Sequence, residues 1–551
     1  MPQLNACGRC GVHQESSPAT RQTAQQSVLW PLGAWLVGIL AVFHPTFQSC
    51  FRLVQGGLGD SRLVNFTLEH SYRWLMGMQL AEDLWSPPIF FPVQNVATYT
   101  DLMLGVAPFY WVWRWLGSDP HTAFQLWMLS CWTLNFVSCY LLFRLGFRIS
   151  AVGSAVGAHL FAFGNPQYSS LAHPQLGLLF WLVVSLAGLI MMIREPTTPS
   201  PARGWIAGVA FWGGLVAQLY SAVYSLAFFV LGLGAATAVA LAAGSLRKPF
   251  LRAVRKNLVP FLVVTVIAVA LATPITARYQ ATATIIGMHK QQQVHLPNPI
   301  GWFLPGQGNR IYGKWQREMA FNVYRGKAQT SGFGAVTLVA CLAGLWLGRR
   351  RQEVQLIVAG FIGLVFLTVT FPGGWSPWWV VREIVPGTAA LRAVARVGLM
   401  ALFPASLGLA IVVSRFAEKR RWFFAAALIL GTGIEQPQNR PKFDKDVAVA
   451  RVEKIASAVP ADAKTFLLVI KGPSWEKYLQ DDAAWAALSA GVPTVNGRYG
   501  HFPPAYPFRK PWIQDSEDGE AIRANLEAWV TEGGIDPKDA PIIEVVPRSP
   551  R

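Results

Sequence analysis

Hydrophobic and polar positions fall into long blocks along this chain rather than into the short alternation of a soluble fold. Apolar runs begin near residues 28, 122, 150, 174, 204, 222, 257, 333, 354, 397 and 421. A helix that crosses the hydrocarbon core needs about 20 mainly apolar residues, so hydropathy predicts about eleven membrane spans. Beyond residue 435 the pattern changes. Strand-like "KTFLLVIKG" and "IIEVV" alternate there with helix-like "DDAAWAALSAG" and "DGEAIRANLEAWVTEGG", as in a small α/β domain. The expected architecture is an α-helical polytopic membrane protein in three parts. These are a cytoplasmic disordered tail over 1–27, a transmembrane domain over 28–434 and an extracytoplasmic α/β domain over 435–551.

Charge sets the orientation. With the N-terminus in the cytoplasm, the loops 144–149, 194–203, 245–256, 348–353 and 415–421 lie inside. They are rich in Arg and Lys, and their acids are only Glu195, Glu353 and Glu418, as the excess of basic residues in cytoplasmic loops requires. This parity holds only if "DLMLGVAPFYWVWRWLG", 101–117, is not a span. Its Trp and Tyr content marks it instead as a helix lying on the outer membrane surface.

Composition agrees. The chain is 52% hydrophobic and only 14% charged, with a mean hydropathy of +0.33, whereas soluble domains carry roughly 25% charged residues. The net charge of +18 sits in the inner loops rather than in a basic stripe with interleaved aromatics, so no nucleic-acid groove is implied. The six Cys form no disulfide framework. "CGRCGVH" pairs Cys7 and Cys10 near His13, but without a second pair it is a weak metal motif.

The predicted spans from 122 to 434 hold no Asp or Glu in their cores, and their main polar exception is His159, an expected interior hydrogen-bonding residue. Ion-coupled carriers keep ionisable groups at bilayer depth. Chemistry is therefore expected in the outer pieces, 47–121, 164–175, 277–332 and 371–396. The first collects Asp60, Glu69, Glu82, Asp83, Asp101 and Asp119. Asp60 stands out, because "GLGD" puts a carboxylate at the membrane rim beside a permissive backbone. "SRLVNFTLEHSYRWLMG" then reads as an amphipathic helix with Leu63, Phe66, Leu68, Trp74 and Leu75 on its apolar side, and Arg62, Glu69 and His70 as supporting groups. The Pro-rich "SPPIFFPVQNVATYTD" would bring Asp101 back towards Asp60.

A first span, an outer loop with an early Asp, an amphipathic helix, a Pro-containing turn and a second interfacial helix resemble the layout of the GT-C superfamily of membrane glycosyltransferases. The likeness is to bacterial members related to dolichyl-phosphate-mannose-dependent and lipid A glycosyltransferases, and it covers roughly residues 28 to 435. Asp60 is followed by Ser61 rather than a second acid, and "SPPIFFP" lacks a His-Pro-Pro. The resemblance implies a catalytic Asp in the first outer loop, here Asp60, and a sugar donor on a polyprenyl phosphate used at the outer face of the bacterial inner membrane.

Other outer residues complete the expected site. Asp101 would assist Asp60 or bind a divalent cation. His173 in "AHPQL" would bind substrate or tune the carboxylate. Arg392 and Arg396 in "LRAVAR", four apart and so expected on one helix face, would grip the donor phosphate with paired donors. Arg310 and Lys314 in "GNRIYGKW" are further candidates of that kind. The expected partners are a polyprenyl-phosphate-linked sugar, a glycan or lipid acceptor and membrane lipids. A transporter or flippase of lipid-linked glycans, and a non-catalytic scaffold, remain the alternative classes.

Overall fold

In the computed structural model, residues 18–194, 202–287, 295–323 and 330–547 are described, with side chains from 28 onward apart from 319–323. The Cys7–Cys10–His13 motif lies outside these residues. Twenty α-helices and five short strands are present among them. The membrane part holds α1 (Pro18–Gln48), α2 (Asp60–Leu75), α3 (Ala107–Trp115), α4 (Pro120–Leu141), α5 (Ala151–Phe163), α6 (Asn165–Ser170), α7 (Phe180–Ile193), α8 (Ala202–Leu219), α9 (Val223–Ala242) and α10 (Gly244–Lys256). It continues with α11 (Leu258–Ile286), α12 (Gly313–Val323), α13 (Ala335–Gly348), α14 (Gln352–Thr368), α15 (Trp378–Ile384), α16 (Leu402–Glu418) and α17 (Trp422–Glu435).

Each of the eleven apolar runs coincides with a helix. Six helical stretches have the length and hydropathy to cross a membrane, and a seventh counts if α14 and the 79° bend after it form one broken span. The others are shorter or less apolar; α5 has 13 residues and α13 and α17 have 14 each. The chain is a multi-pass membrane protein. Helix α3 is nine residues long, roughly 14 Å, less than half of the hydrocarbon core. It packs against α4, where the Trp113 indole donates to the Ser130 hydroxyl at 3.1 Å, and Trp115 and Leu116 are exposed. At the opposite end of the bundle the basic loops converge. Arg194 donates to the Gly146 carbonyl and pairs with Glu353, Arg351 donates to Phe147 O at 3.2 Å, and Arg203 donates to Arg194 O at 3.2 Å.

The last hundred residues form a helix-and-strand layer on the end of the bundle that carries α2. Helices α18 (Lys445–Ala456), α19 (Leu479–Ala490) and α20 (Ser516–Glu532) surround a parallel sheet of order β4-β3-β5, made from β3 (Leu467–Lys471), β4 (Trp512–Ile513) and β5 (Ile542–Val545). The apolar run of β3 is buried on both faces, as a central parallel strand requires. This layer does not close a core of its own. Phe66, Ile89, Phe90, Val96 and Tyr99 from the first outer loop share its hydrophobic cluster. Backbone bonds from Phe90 to Asn496 (2.9 Å) and Phe91 to Thr494 (3.1 Å) stitch the "PPIFFP" loop to it. A second seam is the antiparallel pair of β1 (Leu53–Gln55) and β2 (Lys442–Asp444). The two seams place the C-terminal layer over the start of α2.

Candidate active site

Asp60 is the first residue of α2, where the helix dipole favours a carboxylate. Two glycines ahead of it let other segments close in. Gly56 has φ +90°, and a Cβ there would meet the Ser61 hydroxyl and lie 2.7 Å from the Leu171 carbonyl; a Cβ at Gly59 would lie 3.2 Å from the Tyr478 ring and 3.6 Å from the Arg498 guanidinium. The segment 165–177 and the C-terminal layer therefore reach the carboxylate from two sides. His173 Nδ1 hydrogen-bonds Asp60 Oδ2, and Arg498 Nη1 donates to Asp60 Oδ1 at 3.1 Å. Arg498 is itself fixed by Asp481, through Nε and Nη2 at 3.1–3.2 Å. Burial works to raise the Asp60 pKa, but His173 and Arg498 outweigh it and hold the carboxyl well below its usual range. The side chain remains 24% exposed and that of His173 41%. A carboxylate held ionised by partners from two other chain segments is left partly open to solvent.

The supporting residues on α2 are used otherwise. Glu69 is sealed between Arg114 (2.7 Å), Arg73 (3.1 Å) and the Tyr110 hydroxyl (2.8 Å), so it clamps α3 to α2. His70 is buried under the Leu84 carbonyl at 3.2 Å, and burial lowers its pKa to about 4. Arg62 is buried against Asp482 at 2.5 Å, which also takes Arg451 at 2.9 Å, and Arg451 reaches Glu476 at 2.9 Å. The helix is buried on more than its apolar side: Phe66 and Leu68 are in the core as expected, Trp74 and Leu75 in its last turn are exposed, and Arg62, Glu69 and His70 are buried too, because other chain segments pair with their polar groups. The remaining acids shape the backbone. Asp119 caps α4 through the amides of His121 and Thr122, and Asp83 accepts from Trp85 N and the Ser86 hydroxyl.

Asp101 does not return to Asp60. Its carboxylate accepts from Val223 N at 3.0 Å, at the start of α9, and burial raises its pKa against that bond and the field of Arg396. Phe90 and Phe91 pair with the C-terminal layer and Tyr279 of α11 donates to the Thr100 carbonyl at 3.0 Å, and the Asp101 carboxylate is spent on α9 rather than on Asp60. Among the described residues no three His, Cys, Asp or Glu gather as a cation site.

Arg392 and Arg396 do not share a helix face. Arg392 precedes the 3-10 helix Val394–Ala401, and Arg396 lies within it. They nonetheless converge on α9. Arg396 stacks over the Tyr224 ring at 4.8 Å, the Arg392 amide donates to the Tyr224 hydroxyl at 3.0 Å, and both charges act on His295. One turn further along each element, Phe228 and Met400 line an apolar cavity of about 300 Å³ between α7, α9, α14 and α16. Its lining runs from Phe228 to Ala240 on α9, roughly 18 Å along the axis. Arg310 is exposed and donates to Asn439 at 3.3 Å.

Arg498 and Asp481 were not among the residues expected from the sequence. Their signal was present: "LQDDAAWAAL" puts two adjacent acids into an otherwise apolar helix, which needs buried cations to pair them.

No protein-family model and no curated protein matches this chain. Solved structures do. Arabinofuranosyltransferase AftD from Mycobacteria superposes with a TM-score of 0.50 at 16% identity, over 91% of this chain and 33% of that one. ArnT from Cupriavidus metallidurans in the apo state gives 0.40 at 15% identity, over 87% of this chain and 90% of that one. ArnT bound to undecaprenyl phosphate gives 0.36 at 14% identity, again over 87% and 90%. The chain thus spans about a third of the length of AftD. The likeness to AftD is one of fold.

Proposed function

We propose that the protein is a membrane glycosyltransferase that moves a sugar from a polyprenyl-phosphate donor to an acceptor hydroxyl at the outer face of the bacterial inner membrane. The observation that carries this reading is Asp60. Among the acids of the first outer loop, it combines partial exposure with charged partners from two other chain segments, while the others cap helices, shape turns or are sealed in clamps. The fold shared with AftD, whose name describes arabinofuranosyl transfer, supports the same class.

In this mechanism the acceptor hydroxyl lies against Asp60. Its oxygen attacks the anomeric carbon while Asp60 takes its proton. The bond from that carbon to the phosphate oxygen breaks, and the electron pair leaves with the polyprenyl phosphate. Arg392 and Arg396 neutralise that phosphate, and the cavity beside Phe228 and Met400 takes the proximal part of the apolar chain. His173 and Arg498 aim the carboxylate and keep it ionised. The basic loops at the other end of the bundle support a cytoplasmic side there and an outer side for Asp60, where a lipid-phosphate donor replaces the nucleotide sugars of the cytosol.

Proteoliposomes supplied with a panel of polyprenyl-phosphate sugars and envelope glycans test the reading. Sugar transfer with release of polyprenyl phosphate is expected. Transfer from nucleotide sugars alone, or no transfer from any lipid donor, overturns it.

A further inference from the structure

The segment 165–177 runs past the site like a rail, and polar side chains from three other parts of the chain meet it in order. At its far end the Ser225 hydroxyl, beside Tyr224 and Arg396 on the donor side, donates to Leu176 O at 3.4 Å. In the middle His173 holds Asp60. One helical turn before His173, the Ser169 hydroxyl accepts a hydrogen bond from Arg440 Nη2 at 2.5 Å. Arg440 thus flanks Asp60 on the side away from the apolar cavity. Its strand is tied to the same loop, since Gly56 N donates to Pro441 O at 3.0 Å.

Among the described residues no carboxylate pairs with Arg440. The acids nearest in its chain are committed elsewhere: Glu435 caps α13 through Val336 N (2.9 Å) and Thr337 N (2.7 Å), and Asp444 pairs with Arg52 at 3.3 Å. Arg440 Nε is buried without a hydrogen-bond partner among the described residues. Beside it, Arg310 donates to Asn439 at 3.3 Å without pairing with an acid among the described residues. A half-buried guanidinium without a counter-ion is costly, and here a second exposed one stands next to it. The buried Arg62 and the half-buried Arg451, by contrast, are each matched to carboxylates.

We propose that Arg440, with Ser169 and Arg310, binds an oxyanion carried by the acceptor, so that the acceptor is an anionic glycan or lipid. The inference rests on the glycosyltransferase reading, which puts the donor phosphate at Arg392 and Arg396. Cations on both sides of Asp60 then sort the substrates: the one contiguous with the apolar cavity takes the lipid-phosphate donor, and the other takes the anionic acceptor beside the carboxylate.

The detergent-purified full chain is titrated with inorganic phosphate, acetate and undecaprenyl phosphate, each against wild type, Arg440→Gln, Arg440→Lys and Arg396→Gln, with thermal unfolding recorded for all four. Arg440→Gln should weaken one class of phosphate or acetate binding roughly tenfold, the scale of a lost charged hydrogen bond. Arg440→Lys should restore most of it, and undecaprenyl phosphate binding should stay within about twofold. Preference for phosphate over acetate assigns a phosphorylated acceptor, and the reverse a carboxylated one. Unchanged oxyanion affinity in a folded Arg440→Gln, or an equal loss of undecaprenyl phosphate, overturns the proposal; if Arg440→Gln does not fold, failure of Arg440→Lys to bind phosphate does so. Failure of Arg396→Gln to weaken undecaprenyl phosphate counts instead against the donor assignment.

Discussion

Two ionic clusters at the start of α2 use the same residue types and differ in how they are closed. Around Asp60, a carboxylate meets His173 and Arg498 and stays 24% exposed. Two residues on, Arg62, Asp482, Arg451 and Glu476 form a chain in which Arg62 and Asp482 have no exposed side-chain surface. The second cluster ties α2 to the C-terminal layer and has no opening for a substrate. The first ties the same two parts together and leaves an oxygen-bearing edge at the rim. Charge in a membrane protein is therefore not itself the mark of a site; the mark is charge whose partners are fixed but whose surface is open.

Each side of this contrast can be broken separately. Arg62→Ala would strand Asp482 beside Arg451 in the interior and should cost about 3–5 kcal/mol of stability, seen as loss of folded protein by fluorescence-detected gel filtration. Glu69→Gln, which removes the charge shared by Arg73 and Arg114, should cost about 1–3 kcal/mol, while turnover per folded molecule stays unchanged. On the open side, Arg396→Gln should raise the apparent KM for the lipid donor roughly tenfold with little change in melting temperature.

The next test acts through pH. Arg498 favours the ionised form of Asp60, so its removal must raise that pKa and move the acid limb of kcat/KM to higher pH. Arg498→Gln is made together with Asp481→Asn, so that no carboxylate is left buried alone, and a shift of about one pH unit is expected. In wild type the Asp60 limb lies below the ordinary carboxylate range, so activity should stay level down to about pH 4 while the protein remains folded. The smallest effect belongs to Asp101→Asn. Its side-chain oxygen can still cap α9, and transfer should change less than about threefold; a loss comparable to that of an Asp60 variant would restore Asp101 to the catalytic site.

The helical framework was legible because membrane helices need contiguous apolar residues, and every such run became a helix. Asp60 and His173, each singled out in an outer piece of the sequence, meet in one hydrogen bond. The inward face of α2 was not legible in this way. Apolar-polar patterning assigns polar residues to solvent, yet Arg62 and Arg73 find partners 420 and 415 residues away in the chain, and Arg62 is buried along with the apolar Phe66 and Leu68. Arg498, 438 residues from Asp60, lies in the loop "NGRYG", and no local period links the two. Asp101 was misplaced for a similar reason: its carboxylate accepts from Val223 N, 122 residues on in the chain.

The central claim is that the open carboxylate at the start of α2 carries the transfer chemistry. Asp60→Asn keeps the size and one acceptor oxygen but cannot take a proton. Assayed in proteoliposomes with the lipid-linked donor that wild type uses, and at equal folded protein, it should lose about 10²–10⁴-fold in turnover while the donor KM stays within about twofold. Wild-type turnover in Asp60→Asn would contradict the account.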